Sequence, residues 1–283
     1  MKFKKIISCA LALSATLGCA SLLTACETSH PEVKMTVSFE GETYELDYKL
    51  YRKVAPATVK HFLYLADNGY YNGLCVHNYG DDSRMYTGAY RFDANMTEED
   101  GGLVYQKYYD IVKEYGDFPF TVYSNSSKSE KLYTLYGEFS KNDFSVENGN
   151  IKESFGSLSM YYTDKTEDDA TVYVEHPEAG ASKGRSYKYN SATSQFFISL
   201  TTSEKSNANY CTFATLDEDS EDELKALQAA IDAYIAENED NSKEIAVKVD
   251  EDEEYLDEDY VSEAFYTVLA SPIVINKVEV KKF

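Results

Sequence analysis

Met35 to Phe39 and Thr43 to Leu50 alternate between apolar and polar positions, the two-residue period of a half-buried strand. Glu40-Gly41-Glu42 between them reads as a turn. Ala55-Pro56-Ala57-Thr58-Val59 then opens a helix, with Pro56 suited to its first turn. Val59, Phe62, Leu63 and Ala66 recur at three- and four-residue spacing, and Gly69 is placed to cap the helix C-terminus. Leu74 to Tyr79, Gln195 to Leu200 and Tyr210 to Leu216 read as strands, and Pro272 to Val280 alternates again. Leu224, Leu227, Ala230, Ile231, Tyr234 and Ile235 trace a second amphipathic helix. Its acidic approach, Asp217 to Glu223, suits a helix N-terminus.

Two polar stretches interrupt this pattern. Residues 93–131 are Tyr-rich with one amphipathic segment, Leu103 to Tyr115. Residues 163–188 hold Pro177, Gly180 and Gly184 and read as a long surface loop. No internal repeat is visible.

The N-terminal region has a different logic. Lys2, Lys4 and Lys5 precede a mostly apolar run from Ile6 to Leu23, and Leu23-Thr24-Ala25-Cys26 follows. A charged start, an apolar middle and a small residue before the cut mark a secretory signal. The tetrapeptide resembles a bacterial lipobox, whose cysteine must supply a thiol because a thioether forms there. Cys19 is the poorer match, since Thr16 stands where a large aliphatic residue is preferred. The expected division is a signal over 1–25, a lipidated Cys26 with a tether over 26–34, and one domain over 35–283. Several acyl chains on one residue anchor stably, so the chain is expected outside the cytoplasm, held to the cell membrane by lipid. The alternative is an uncleaved transmembrane helix, for which the run is borderline against the roughly 20 residues needed.

Charge narrows the partners. The net charge is −22, and loss of the three signal lysines takes it to −25. Nucleic acid is excluded as a partner, because phosphate binding depends on Lys and Arg. The same charge favours solubility and repels anionic lipid. Asp250 to Asp259 holds eight acids in ten residues, without the Gly and ligand spacing of a calcium loop. The 26 tyrosines and absent tryptophan suit sheet surfaces and core, and also groove walls. After Cys26 only Cys75 and Cys211 remain, to pair as an exported disulfide or to stay buried and free. No CxxC or Cys/His cluster points to a metal, and no cofactor is expected.

Taken in order, several segments resemble the cyclophilins, a family of peptidyl-prolyl cis-trans isomerases. Ala55 to Leu63 resembles the family's first helix, and Gly69-Tyr70-Tyr71-Asn72-Gly73 the turn after it. Val76-His77-Asn78 stands where the family has Phe-His-Arg. Tyr136-Gly137-Glu138-Phe139 resembles its Gly-Glu-Phe segment, and Gly156-Ser157-Leu158-Ser159-Met160 its Gly-x-Leu-Ser-Met strand. The most specific match is Asn190-Ser191-Ala192-Thr193-Ser194-Gln195-Phe196-Phe197-Ile198. Ser-Pro-Ile-Val-Ile from Ser271 resembles the final strand. The resemblance implies a mainly β fold: a closed antiparallel eight-stranded barrel capped by two helices, with insertions at about 93–131 and 163–188.

It also implies a reaction, rotation about the X-Pro peptide bond. Partial double-bond character sets a barrier of roughly 18–20 kcal/mol, and uncatalysed exchange takes tens to hundreds of seconds. Neither nucleophile nor metal is needed. A dry apolar pocket for the proline ring and a fixed donor near the twisted amide suffice. By resemblance Phe197 is the pocket phenylalanine, Gln195 the groove glutamine and Met85 the pocket methionine. Thr87 replaces the positioning glutamine, Asn78 replaces the donor arginine, Tyr161 enters where the groove has small residues, and Tyr210 replaces a groove histidine. Arg84, six residues beyond Asn78, is a candidate substitute donor reaching in from the next turn. His77 alternates away from Asn78 and is expected to pack rather than to transfer protons. Two functions remain open: an isomerase acting on proline-containing peptides or exported clients, and a cyclophilin-like module that binds them with weakened catalysis. A solute-binding lipoprotein is disfavoured, because the bilobal βα pattern is absent.

Overall fold

The computed structural model describes residues 28–80, 82–95, 101–116, 118, 122–135, 137–139, 151–161, 171–175, 182–186, 193–206, 210–248 and 263–283. Strands β1 (Glu32–Phe39) and β2 (Glu42–Leu50) form the hairpin read from the sequence, with β1 starting earlier than its apolar alternation indicated. Val33, Met35, Val37 and Phe39 on one strand and Tyr44, Leu46, Tyr48 and Leu50 on the other are buried. Between them Glu40 and Gly41 turn the chain at φ values of 50° and 83°, a region glycine enters without a Cβ penalty.

Helix α1 (Pro56–Asp67) starts on a proline, which has no amide hydrogen to leave unsatisfied. It ends in a Schellman turn: Tyr70 N–H donates to Leu65 O at 2.9 Å and Gly69 N–H to Ala66 O at 2.9 Å. No local side chain caps its N-terminus. Glu138 does so from far along the chain. Its Oε1 accepts from Ala57 N at 3.0 Å, and its Oε2 accepts from Thr58 N and from the Thr58 hydroxyl, each at 2.8 Å. The Gly-Glu-Phe segment is thereby tied to the start of α1.

The remaining elements, in chain order, are β3 (Leu74–Cys75), β4 (Asn78–Gly80), β5 (Arg84–Thr87), β6 (Tyr90–Phe92), β7 (Leu103–Tyr105), α2 (Tyr108–Glu114), β8 (Val122–Tyr123), β9 (Leu158–Met160), β10 (Thr171–Glu175), β11 (Ser182–Ser186), β12 (Phe196–Ser199), β13 (Cys211–Leu216), α3 (Glu221–Glu237), β14 (Ser242–Lys248), β15 (Glu263–Leu269) and β16 (Val274–Lys282). The main sheet is antiparallel in the order β4-β5-β12-β9-β13-β2-β1-β16-β3-β6-β7. It curls: β3 and β4 are separated only by Val76-His77, and β5 and β6 only by Gly88-Ala89. One half of that hairpin pairs with β12 and the other with β16. Helix α1 packs against β13 and β16, and α3 against β1 and β2. Phe62 of α1 sits centrally, 5.0 Å from Tyr71, 5.5 Å from Phe196 and 5.1 Å from Phe213 by ring centroids.

The polar stretches hold more structure than their composition suggested. The expected surface loop at 163–188 contains an antiparallel pair, β10 with β11, and β10 also pairs with β8 from the first insertion. Strand β7 extends the main sheet beyond β6. The β14–β15 hairpin has no counterpart in the sequence reading. Its Ile245 and Val268 pack with Cys75, Ala89, Tyr90 and Leu103 into a second small core. Cys26, the rest of the leader and the acidic run at 250–259 lie outside the described residues.

Among the described residues the two cysteines, Cys75 and Cys211, are free and buried. The Cys75 thiol points to Tyr90 O at 3.4 Å, while Cys211 lies 3.5 Å from the Thr58 hydroxyl. Burial raises both thiols, Cys75 to about 12. Among the described residues no helix is long and apolar enough to cross a membrane.

Burial raises the Glu138 carboxyl from 4.5 to about 7, against the pull of its hydrogen bonds from Thr58 and Ala57. In that window the folded state therefore holds a proton that the unfolded state has released, so stability falls as pH rises through it. Relative to Glu138→Gln, the wild type should lose up to roughly 3 kcal/mol between the lower and upper ends of the window. Urea unfolding of both proteins measures this, and parallel pH profiles would refute it.

Candidate functional site

Strand register decides which side chains meet. β12 lies between β5 and β9, with Phe197 opposite Tyr86 on one side and opposite Ser159 on the other. Ser159 in turn faces Thr212 of β13. Because strand side chains alternate, Arg84, Tyr86, Phe197, Ser199, Ser159 and Thr212 share one face of the sheet. Met85, Thr87, Phe196 and Ile198 share the other.

This corrects two of the assignments. Met85 belongs with Phe196 and Ile198 to the main apolar core, not to a groove. Thr87 is fully buried and gives its hydroxyl to Cys75 O at 2.8 Å. A displacement of one residue in aligning Met85-Tyr86-Thr87-Gly88 exchanges the faces of every side chain in it. Tyr86 holds the outward position instead.

Phe197 is 0% exposed, yet it stands outside both apolar cores. What covers it is the outer face itself. Tyr86 lies 5.4 Å away and Tyr210 5.1 Å, by ring centroids. Tyr161 continues the wall, 5.6 Å from Tyr86 and stacked at 6.4 Å on Tyr210. The Arg84 guanidinium carbon rests 4.3 Å from the Phe197 centroid and 4.9 Å from that of Tyr210. Stacking of this kind is favourable over the negative ring face, more so when desolvated. Beneath, Ser159 and Thr212 satisfy each other at 2.8 Å.

Arg84 does reach this face from the turn beyond Asn78. Its Nε and Nη2 donate to the two oxygens of Glu153, at 2.9 Å and 2.8 Å. Its Nη1 donates to Asp82 at 3.2 Å and to the Tyr86 hydroxyl at 3.4 Å. The Tyr86 hydroxyl itself donates to Asp82. Glu153 is only 1% exposed and also accepts from Ser199 Oγ at 3.1 Å. Its main chain is held by reciprocal 2.9 Å bonds with Lys205. Burial works against the Arg84 charge, but the bonds with Glu153 and Tyr86 outweigh it and hold the guanidinium above its ordinary range. Burial raises the Tyr210 hydroxyl, and the Arg84 charge, with a hydrogen bond from it, pulls it partly back. The guanidinium is thus engaged by Glu153, Asp82, Tyr86 and Tyr210, rather than presenting a donor to a ligand.

Asn78 stands opposite Tyr86 in the pairing of β4 with β5, at the edge of the same face. Its amide oxygen accepts from Thr267 N of β15 at 2.9 Å, so it docks the β14–β15 hairpin onto β4. His77 is buried as expected, packed 4.9 Å from Tyr90 and 5.1 Å from Tyr266, and burial lowers it to about 3. Gln195 is half-buried immediately before β12, and its carbonyl accepts from Tyr161 N at 3.0 Å. Sequence reasoning brought Arg84, Phe197, Tyr161 and Tyr210 together. It missed Tyr86, Asp82 and Glu153. Tyr86 was legible from its two-residue spacing to Arg84, whereas nothing in Lys152-Glu153-Ser154 marks a buried carboxylate. Among the described residues no three His, Cys, Asp or Glu side chains are grouped to hold a metal ion.

A family model described as "Cyclophilin type peptidyl-prolyl cis-trans isomerase/CLD" matches residues 33–251, more than half of the chain. Solved structures similar to it include a cyclophilin type peptidyl-prolyl cis-trans isomerase of Cryptosporidium parvum, at 15% identity and a TM-score of 0.43, covering 90% of this chain and 99% of that one. A second structure of that protein, in the presence of the dipeptide Ala-Pro, gives 15% identity and a TM-score of 0.41, covering 89% and 99%. No curated protein matches the chain.

Removing the Asn78 acceptor leaves a strand amide without its partner. Asn78→Ala should cost about 1 kcal/mol and speed amide hydrogen exchange at Thr267 and its β15 neighbours. Unchanged exchange across β15 would show that Asn78 does not dock the hairpin.

Proposed function

The chain belongs to the cyclophilin-type peptidyl-prolyl cis-trans isomerase family, and from that premise we propose that it is an isomerase-like lipoprotein acting on X-Pro bonds of exported proteins at the membrane surface. The observation that carries this reading is the buried Phe197 on the outward face, walled by Tyr86, Tyr161 and Tyr210. When uncovered, such a surface takes a flat apolar ring and strips water from the adjoining amide. A dry site favours the twisted amide, because the prolyl nitrogen loses conjugation and the charge separation that water stabilises. The reaction forms and breaks no covalent bond, so pocket shape and fixed dipoles are the whole of the catalytic equipment.

Two observations favour a second reading, a peptide- or protein-binding module with weakened turnover. Asn78, in the place of the donor arginine, is short and uncharged and its oxygen is taken up by Thr267 N–H, and Arg84 is committed to carboxylates. Loss of one preorganised donor costs roughly 10²–10³ in rate in well-studied enzymes. Against a barrier of roughly 18–20 kcal/mol that leaves a weak catalyst rather than none.

The membrane part of the proposal rests on Lys2 to Leu23 and the Leu23-Thr24-Ala25-Cys26 segment. Lipid on Cys26 would place the groove where exported chains fold and where proline isomerisation limits them.

The discriminating measurement is isomerisation of a short Ala-Pro peptide and of a proline-limited refolding protein. Wild type should accelerate both, about 10²–10³ less than an arginine-bearing relative, and Phe197→Ala should abolish the effect. No acceleration from a folded sample, with peptide binding retained, would establish the binding module instead. Separately, Cys26→Ser should move the protein from the membrane fraction to the soluble one, and its retention in the membrane would overturn the lipid anchor.

A further inference from the structure

A proline ring that uses Phe197 must lie against its face, with carbon contacts at roughly 3.5–4.0 Å. That layer is already filled. The Arg84 guanidinium carbon lies 4.3 Å from the Phe197 centroid, and the guanidinium also covers Tyr210. The side chain of Arg84 is 14% exposed and that of Glu153 1%. The occupant is held by two parallel bonds to Glu153, a fork geometry that fixes the plane of the guanidinium as well as its position. Asp82 and the Tyr86 hydroxyl hold the outer edge. Ser199 and the main-chain bridge to Lys205 hold Glu153 in turn.

We propose that Arg84 is a built-in latch: the chain's own guanidinium occupies the face of Phe197 that a client proline needs, and its pair with Glu153 governs how rarely that face is open. The inference rests on the reading of the Phe197 face as the X-Pro groove. Ligand entry then requires Arg84 to swing outward, where exposed Asp82 is available as its partner. Glu153 cannot follow, because it is buried, and its two bonds to Arg84 are broken. Breaking one side of a buried pair in this way is strongly unfavourable. The open form is accordingly a minor population, and the apparent affinity is reduced by that fraction. The latch also gives buried Glu153 a cation that lets it stay ionised, whereas a buried carboxyl held only by neutral donors, such as Glu138, is pushed toward its protonated form. A client that brings its own cation to Glu153 would open the face at least cost.

The test measures Ala-Pro peptide binding by fluorescence polarisation, and peptide isomerisation by exchange NMR, on the purified protein. The set is wild type, Glu153→Gln, Arg84→Ala, Arg84→Ala with Glu153→Gln, and Arg84→Ala with Phe197→Ala. The Arg84→Ala/Glu153→Gln protein removes both charges, so the comparison survives if Arg84→Ala alone fails to fold. At least tenfold tighter binding is expected on removing Arg84, a smaller gain for Glu153→Gln, and loss of the gain when Phe197 is also removed. A Glu153 that merely supported the fold would give no gain in affinity. Equal binding by wild type and the Arg84-less proteins overturns the latch and leaves the groove reading standing. Loss of isomerisation on removing Arg84, with binding unchanged, makes Arg84 the donor and also overturns it. No binding by any folded variant rejects the groove reading itself, and the latch with it.

Discussion

The placement of β12 between β5 and β9 is the constraint on which the outer face depends. That register sends Phe196 and Ile198 into the core with Met85, and turns Phe197 outward beside Tyr86. Two consecutive phenylalanines thereby serve opposite purposes. Phe196 packs 5.5 Å from Phe62 and helps hold α1 on the sheet. Phe197 is buried just as fully, but by side chains that exist only on the outward side. A shift of one residue in either flanking strand would dismantle both arrangements together.

Much of the frame was legible because its strands obey strict alternation. The hairpin of β1 and β2, helix α1 and helix α3 follow from periodicity alone, and the Ser-Gln-Phe-Phe-Ile run places β12. The site was less legible for a physical reason. Sequence similarity transfers residue types, whereas a groove is built from faces, and Met85 and Thr87 carried the right types on the wrong face. Glu153 left no trace because a buried carboxylate looks like a solvated one until its partner is located. The β14–β15 hairpin was hidden in the same way. Lys243 to Lys248 is half charged, and its Ile245 acquires an apolar purpose only against Tyr90, Leu103 and Val268.

The departures from the family pattern are coupled through space rather than scattered. Asn78 is short, and its oxygen meets Thr267 of a hairpin that lies against β4. Arg84 brings a charge into an aromatic setting, and Glu153 is buried to answer it. Each substitution read singly removes a familiar group. Taken together they exchange the apolar pocket and arginine donor that the resemblance implied for a closed face with internal ion pairing, and the desolvated charges are tolerable because they come as a pair with bidentate geometry.

The clasp of Glu138 on Ala57 and Thr58 has a consequence for how this fold can vary. The excursion that leaves the main sheet after β7 packs on α1 through Tyr108 and Phe118 against His61, and that carboxylate ties its far end to the helix N-terminus. Its two ends are therefore fixed whatever its contour. The entropic cost of closing a longer excursion grows only logarithmically, about 0.6 kcal/mol for each doubling. Segments of quite different length and composition can be exchanged between those fixed points while the strands beneath keep their register. Domains of this architecture are thus suited to acquiring new surface by insertion, with the elaboration seated on α1 through contacts such as Phe118 with His61.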